Sequence, residues 1–193
     1  MYTIKHSTKG NITEFDMSAY NKDSILITGV EEMNRIIDAE SIISVKTGKV
    51  YGYEALMRPQ SEVFKAPLDL IRIAKTSARL YQIERLTWKL ALRTFHKLMD
   101  DNIVPADTKV FVNSISNYVM KDKDLAVIEE ENKDILSNIV LEVLESEETN
   151  IEYVKAKQRW IKKCSGMTAL DDFGSGYNSE YALITLQPDI IKI

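Results

Sequence analysis

The chain reads as an α/β fold, a parallel sheet or barrel whose first two strands form an antiparallel hairpin. Short runs rich in Val, Ile, Leu and Phe alternate with helical stretches along its second half, the pattern of strand–helix units. Polar residues recur at unit spacing near the ends of those runs: Asn113 to Glu142 is 29 residues, and Glu142 to Asp171 is again 29. Earlier, SIISVKTGKVYGYEALMR (41–58) holds two β-rich runs around Lys46-Thr47-Gly48-Lys49. A connection that short joins only antiparallel neighbours.

Taken in order, residues 1–18 are short, polar and mixed, and 19–30 (AYNKDSILITGV) read as a connector. From Val30 the spacing of Met33, Ile36 and Ile37 predicts a helix, followed by the hairpin. After Pro59 and Pro67, two helices are expected between about Leu68 and Asp100, the second dominated by Leu86, Trp88, Leu90, Leu92 and Phe95. Then come a strand over 109–116, a helix near 122–133, a strand over 138–146 and an amphipathic helix over about 150–163. Strands at MTALDDF (167–173) and IIKI (190–193), joined by a loop and helix, complete the pattern.

The 193 residues suffice for one full core, or one domain plus a remnant of another. With 45% hydrophobic and 28% charged residues the composition is that of a soluble globular protein. A net charge of −4 offers no basic face for long nucleic acid, yet leaves room for a small anion met by a bound metal. The single Cys164 has no internal disulfide partner, and no apolar run approaches the ~20 residues that span a bilayer. A cytoplasmic setting is expected, with any membrane anchor lying elsewhere in a parent protein.

Glu54, Asn113, Glu142, the pair Asp171-Asp172 and Lys192 each follow apolar residues that lead a buried strand into a polar group. Taken singly they have ordinary readings: a rim glutamate, a helix cap, an amide bonded to backbone. Taken together, their repeat brings them to one end of a parallel sheet, which in a barrel is the end that holds active sites. Oxygen ligands without His or Cys suit Mg²⁺ or Mn²⁺ rather than zinc. Two aspartates and two glutamates have acceptors enough for a two-metal phosphoryl-transfer site. Lys192 is placed to orient or deprotonate a water, and Arg58 to fork onto a phosphate. His6, His96, Trp88 and Trp160 read as packing or surface residues.

These residues carry a resemblance to the EAL domain family, the phosphodiesterases that cleave cyclic di-GMP. Glu54-Ala55-Leu56 stands as the name motif, followed by FVNSIS, VLEVLES, ALDDFGSGYNS and QPDIIKI in family order, from about Glu32 to the last residue. The resemblance implies a TIM-like (β/α)8 barrel with an antiparallel first strand, here truncated before the last two strands. It implies that Glu54, Asn113, Glu142 and Asp171 are metal ligands, with Asp172 at a second metal. It makes Lys192 the residue holding the hydrolytic water and Arg58 the substrate-phosphate arginine. Glu145 matches the glutamate that steadies the loop Phe173 to Ser179, through which homodimer contacts are expected.

The function expected from the resemblance is Mg²⁺- or Mn²⁺-dependent hydrolysis of cyclic di-GMP to linear pGpG in bacterial signalling. The alternative is a silent module that binds the dinucleotide or a protein partner. Glu40 and Ser41 stand where the family has a Gln-Pro pair, and the segment from Ile37 to Ile42 looks short, so a truncated first strand and weakened substrate affinity are expected. The resemblance implies that strands seven and eight, with a further Glu and Gln, belong after Ile193. MYTIKHSTKGNITEFD resembles the end of a GGDEF domain, the diguanylate cyclase fold. The expected organisation is therefore a GGDEF remnant over 1–18, a linker over 19–30 and an EAL domain over 31–193.

Overall fold

The computed structural model describes residues 2–6, 37–59, 66–144, 150–174 and 179–193. Seven strands follow one another around a barrel: β1 (Tyr2–His6), β2 (Ile37–Ser44), β3 (Val50–Met57), β4 (Lys109–Ser114), β5 (Ile139–Leu144), β6 (Met167–Asp171) and β7 (Ile190–Lys192). Among the described residues five α-helices lie between them: α1 (Pro67–Thr76), α2 (Leu80–Asp100), α3 (Asp122–Glu131), α4 (Ile151–Lys163) and α5 (Ser179–Leu186). β2 and β3 are the antiparallel hairpin expected from the sequence, and β3 to β7 run parallel. These six strands form a curled sheet. β1 bridges its two edges, antiparallel to β2 from Thr3↔Ser44 to His6↔Ser41 and parallel to β7 at Tyr2↔Ile191 and Thr3↔Lys192.

The hairpin turns where Gly48 takes a left-handed φ of 65°, a conformation glycine adopts without Cβ strain. β2 is eight residues long and starts at Ile37, pairing with β3 from Ile37↔Met57. It is thus neither truncated nor preceded by helix at Ile37 and Asp38; the helix expected upstream lies outside the described residues. Short apolar runs carry too few periods to separate the two readings, and here pairing with β3 decides. Gly52 is needed for another reason. It pairs with Lys109 on β4, and a Cβ there would stand 2.4 Å from the Lys109 carbonyl oxygen.

Alternation along the strands sorts their residues between two cores. Ile42, Phe111, Val140, Ala169 and Ile190, one each from β2 and β4 to β7, are buried together inside the barrel. Their neighbours Val110, Val112, Leu141, Val143 and Leu170 join the outer core instead, with Trp88, Leu92 and Phe95 of α2 and Val154 and Ile161 of α4. The rings of Trp88 and Trp160 meet at 5.5 Å across these two helices. Helix ends follow local chemistry. α1 starts with Pro67 in its first turn and ends with Lys75 in its last, and Asn150 caps α4 by accepting from the Tyr153 N–H at 3.2 Å. Asp189 sets β7 against β6, accepting from the Thr168 N–H at 2.8 Å and its hydroxyl at 3.0 Å.

Candidate active site

The inward parity of the barrel core continues upward into polar groups. Two residues past Phe111, Val140, Ala169 and Ile190 stand Asn113, Glu142, Asp171 and Lys192. On β3, Glu54 lies two past Gly52, which pairs with the buried Ile42. The inner apolar layer is therefore the floor of the site, and the side chains above it converge.

Lys192 is the hub. Its ammonium donates to Glu54 Oε2 at 3.0 Å, lies 2.9 Å from Asp171 Oδ1 and donates to Glu142 Oε1. Asn113 Nδ2 donates to the other oxygen of Glu54 at 3.0 Å. Glu54, Glu142, Asp171 and Lys192 are all buried, and the Lys192 ammonium is 5.9 Å from the centre of the Phe111 ring. Three carboxylates thus share one ammonium. Burial pushes Glu142 up to about 8, against the pull of Lys192 and with the help of Glu54 and Asp171. Burial works to lower Lys192 as well, but Glu142, Glu54 and Asp171 together raise it, so it remains an ammonium. The retained proton falls on Glu142, the group most enclosed.

The cluster fits a divalent cation. Oxygens of Glu54, Glu142 and Asp171 lie within 4.8 Å of one another, and the buried Glu142 Oε2 has no hydrogen-bond partner. An unpaired buried acceptor beside surplus negative charge is what a hard cation satisfies. The donors are all oxygen, as Mg²⁺ or Mn²⁺ prefer.

Other residues singled out in the sequence stand apart from this cluster. Asp172 is exposed, and its φ of 53° is a left-handed conformation that aspartate tolerates better than most residues. The next N–H, of Phe173, donates to the Lys192 carbonyl at 3.1 Å, so the turn after β6 is tied to β7. Arg58 leaves the end of β3 half-buried, 3.5 Å from Glu40 Oε1 on β2. Glu40 is also the cross-strand partner of Glu54. Glu145 lies outside the described residues, as does most of the loop between Phe173 and Ser179.

A buried network beside the cluster escaped the sequence reading. Glu84 of α2 and Lys157 of α4 pair at 2.7 Å over the end of β4. Each is a charged residue in an apolar stripe: Glu84 precedes Trp88 by one turn, and Lys157 falls between the buried Val154 and Ile161. That interruption was the available signal.

With this geometry in view, the EAL domain family model matches residues 25–193. This chain belongs to the EAL domain family. Among solved structures, it resembles the phosphodiesterase PaMucR in complex with c-di-GMP, at 20% identity and a TM-score of 0.71 over 88% of this chain and 70% of that one. The FimX EAL domain is similar at 19% identity and a TM-score of 0.72, covering 91% of this chain and 72% of its own. BlrP1 of Klebsiella pneumoniae, solved with manganese and cyclic di-GMP, matches at 18% identity and a TM-score of 0.63 over 81% of this chain and 39% of that one. At these identities the likeness is one of fold. Among the described residues of this EAL chain no helix is long and apolar enough to cross a membrane.

Proposed function

We propose that this EAL domain hydrolyses cyclic di-GMP to linear pGpG with Mg²⁺ or Mn²⁺, and that Glu54, Asn113, Glu142 and Asp171 hold the metal, with Asp172 at a second one. The observation carrying this reading is the buried cluster of three carboxylates around Lys192 at the strand ends of an EAL barrel. Relatives of the same fold have been solved with cyclic di-GMP, one of them with manganese. A bound divalent metal supplies positive charge for the phosphate and lowers the pKa of water.

The rest is work for the chain's own side chains. Lys192, kept protonated by its three acidic neighbours, acts as a donor that orients the attacking water rather than as its base. Asn113 holds Glu54 by donating to Oε1, leaving the amide oxygen as its remaining acceptor. Arg58 is the cation for a substrate phosphate at the rim, where its planar fork matches two phosphate oxygens. The apolar floor of Ile42, Phe111, Val140, Ala169 and Ile190 keeps water from below and strengthens the charges above it. In this reading the protein acts in the cytoplasm, the loop after Asp172 contributes to a homodimer, Glu145 steadies that loop, and residues 1–18 derive from the tail of a GGDEF domain, with Tyr2–His6 recruited to pair with β2 and β7.

The deciding experiment incubates the purified chain with cyclic di-GMP and Mn²⁺ and resolves products by chromatography. Formation of pGpG, abolished by Glu54→Ala, is expected. Binding of cyclic di-GMP without product by a natively folded chain would establish the second reading, a silent binding module. The Arg58–Glu40 ion pair favours that second reading, because it occupies the phosphate-binding guanidinium with an internal carboxylate.

A further inference from the structure

We propose that the buried Lys157–Glu84 pair is a positioning device for Asn113, holding the end of β4 so that this amide meets the carboxylate cluster. The inference rests on the metal-site reading above. The pair encloses the two residues that follow Asn113. Glu84 Oε2 accepts from the Ile115 N–H at 2.8 Å, and Glu84 Oε1 accepts from the Ser114 hydroxyl at 3.2 Å. The Lys157 ammonium donates to Glu84 Oε1 at 2.7 Å, to Ser114 Oγ at 2.6 Å and to the Ile115 carbonyl at 2.7 Å. All three ammonium hydrogens are thereby used. Both backbone groups of Ile115 are held by side chains from two different helices, just where the β4 ladder stops.

A buried ion pair is a poor device for stability alone, since well-packed apolar residues often replace one at no loss. What apolar residues cannot do is hold an N–H and a C=O in fixed directions. The ring of bonds therefore specifies geometry. Ser114 pairs with Val143 and Asn113 with Glu142 on β5, so a shift of the chain at Ser114 is a shift of the Asn113–Glu142 pair. Outer partners that orient metal ligands act in this way, and their loss typically weakens metal binding 10–100-fold.

Mn²⁺ affinity of the full chain, measured from free Mn²⁺ by electron paramagnetic resonance, tests the proposal alongside the thermal midpoint. The double variant Glu84→Leu/Lys157→Met leaves no unpaired buried charge. We expect it to fold with a lowered midpoint, because the Ile115 N–H and the Ser114 hydroxyl lose their partners, and to bind Mn²⁺ about tenfold more weakly. A folded double variant with unchanged Mn²⁺ affinity overturns the positioning role. So does an equal loss of affinity in Gln158→Leu, which removes a buried bond from the next residue of α4 to the Leu186 carbonyl of α5. If the double variant does not fold, Lys157→Arg decides: a folded protein with weakened Mn²⁺ binding supports the role, and unchanged binding overturns it. Failure of the unmodified chain to bind Mn²⁺ is a separate outcome, which removes the metal-site reading and this role with it.

Discussion

At the residue scale, the barrel end is governed by an excess of carboxylates over cations. Glu142 is fully enclosed and keeps a proton up to about 8. A carboxyl raised above its unfolded value stabilises the fold fully below that value, near 4.5, and loses the contribution as pH rises through about 8. The metal-free protein is therefore expected to lose thermal stability between about pH 5 and 8, and Mn²⁺, by replacing the proton, to restore it. A midpoint measured across that window with and without Mn²⁺ checks this; a profile that is flat, or that rises with pH, contradicts it. Glu142→Gln should flatten the metal-free profile. Which residues converge here was legible in the sequence, because the 29-residue spacing places Asn113, Glu142 and Asp171 on successive strands. That Lys192 would bond all three carboxylates was not, since spacing along a chain says nothing about the depth at which side chains meet. Arg58 was read as a phosphate fork without its partner, because Glu40 lies on the neighbouring strand, 18 positions away.

At the element scale, helices and strands from Pro67 onward fall where hydrophobic periodicity put them, within a residue or two at their ends. Long α2 and α4 carry several turns of pattern, which leaves little ambiguity. The entry into β2 was misread because Met33, Ile36 and Ile37 fit a helix face, whereas Ile37 finds a partner in Met57. Strand packing also makes a prediction of its own. β3 approaches β4 so closely at Gly52 that any side chain there strikes the Lys109 backbone. Gly52→Val should destabilise the protein by about 1–3 kcal/mol, as overpacking does, read as a lower denaturant midpoint with an unchanged slope. Because Glu54 is only two residues on, the same variant should weaken Mn²⁺ binding. Wild-type stability in Gly52→Val would show that β3 and β4 are less tightly apposed than described.

For the whole molecule, the curled sheet of β2 to β7 has two edges, and β1 covers both. The sequence predicted a barrel short of its last two strands, and the six-stranded sheet agrees; the strand set from Tyr2–His6 was not foreseen, since five mixed residues carry no usable period. Exposed edges invite pairing with other chains. Deleting residues 2–6 should speed amide exchange along Ser41–Ser44 and at Ile191, and increase self-association on sizing columns. Unaltered exchange at those amides would mean that β1 contributes nothing to closure.

β1 also has a bearing on when the protein becomes competent. Thr3 pairs with Lys192, so the ring joins positions 189 apart in the chain. Contacts that distant carry a heavy loop-closure entropy and form late. Lys192 is at the same time the residue whose ammonium gathers Glu54, Glu142 and Asp171. During synthesis the carboxylates of β3, β5 and β6 emerge before their counter-charge, and must wait, mutually repelling, until β7 leaves the ribosome. Docking of β7 on β6 and charge neutralisation are thus one event, and a nascent chain stalled before Lys192 would hold an acidic, open sheet that divalent cations are well suited to steady.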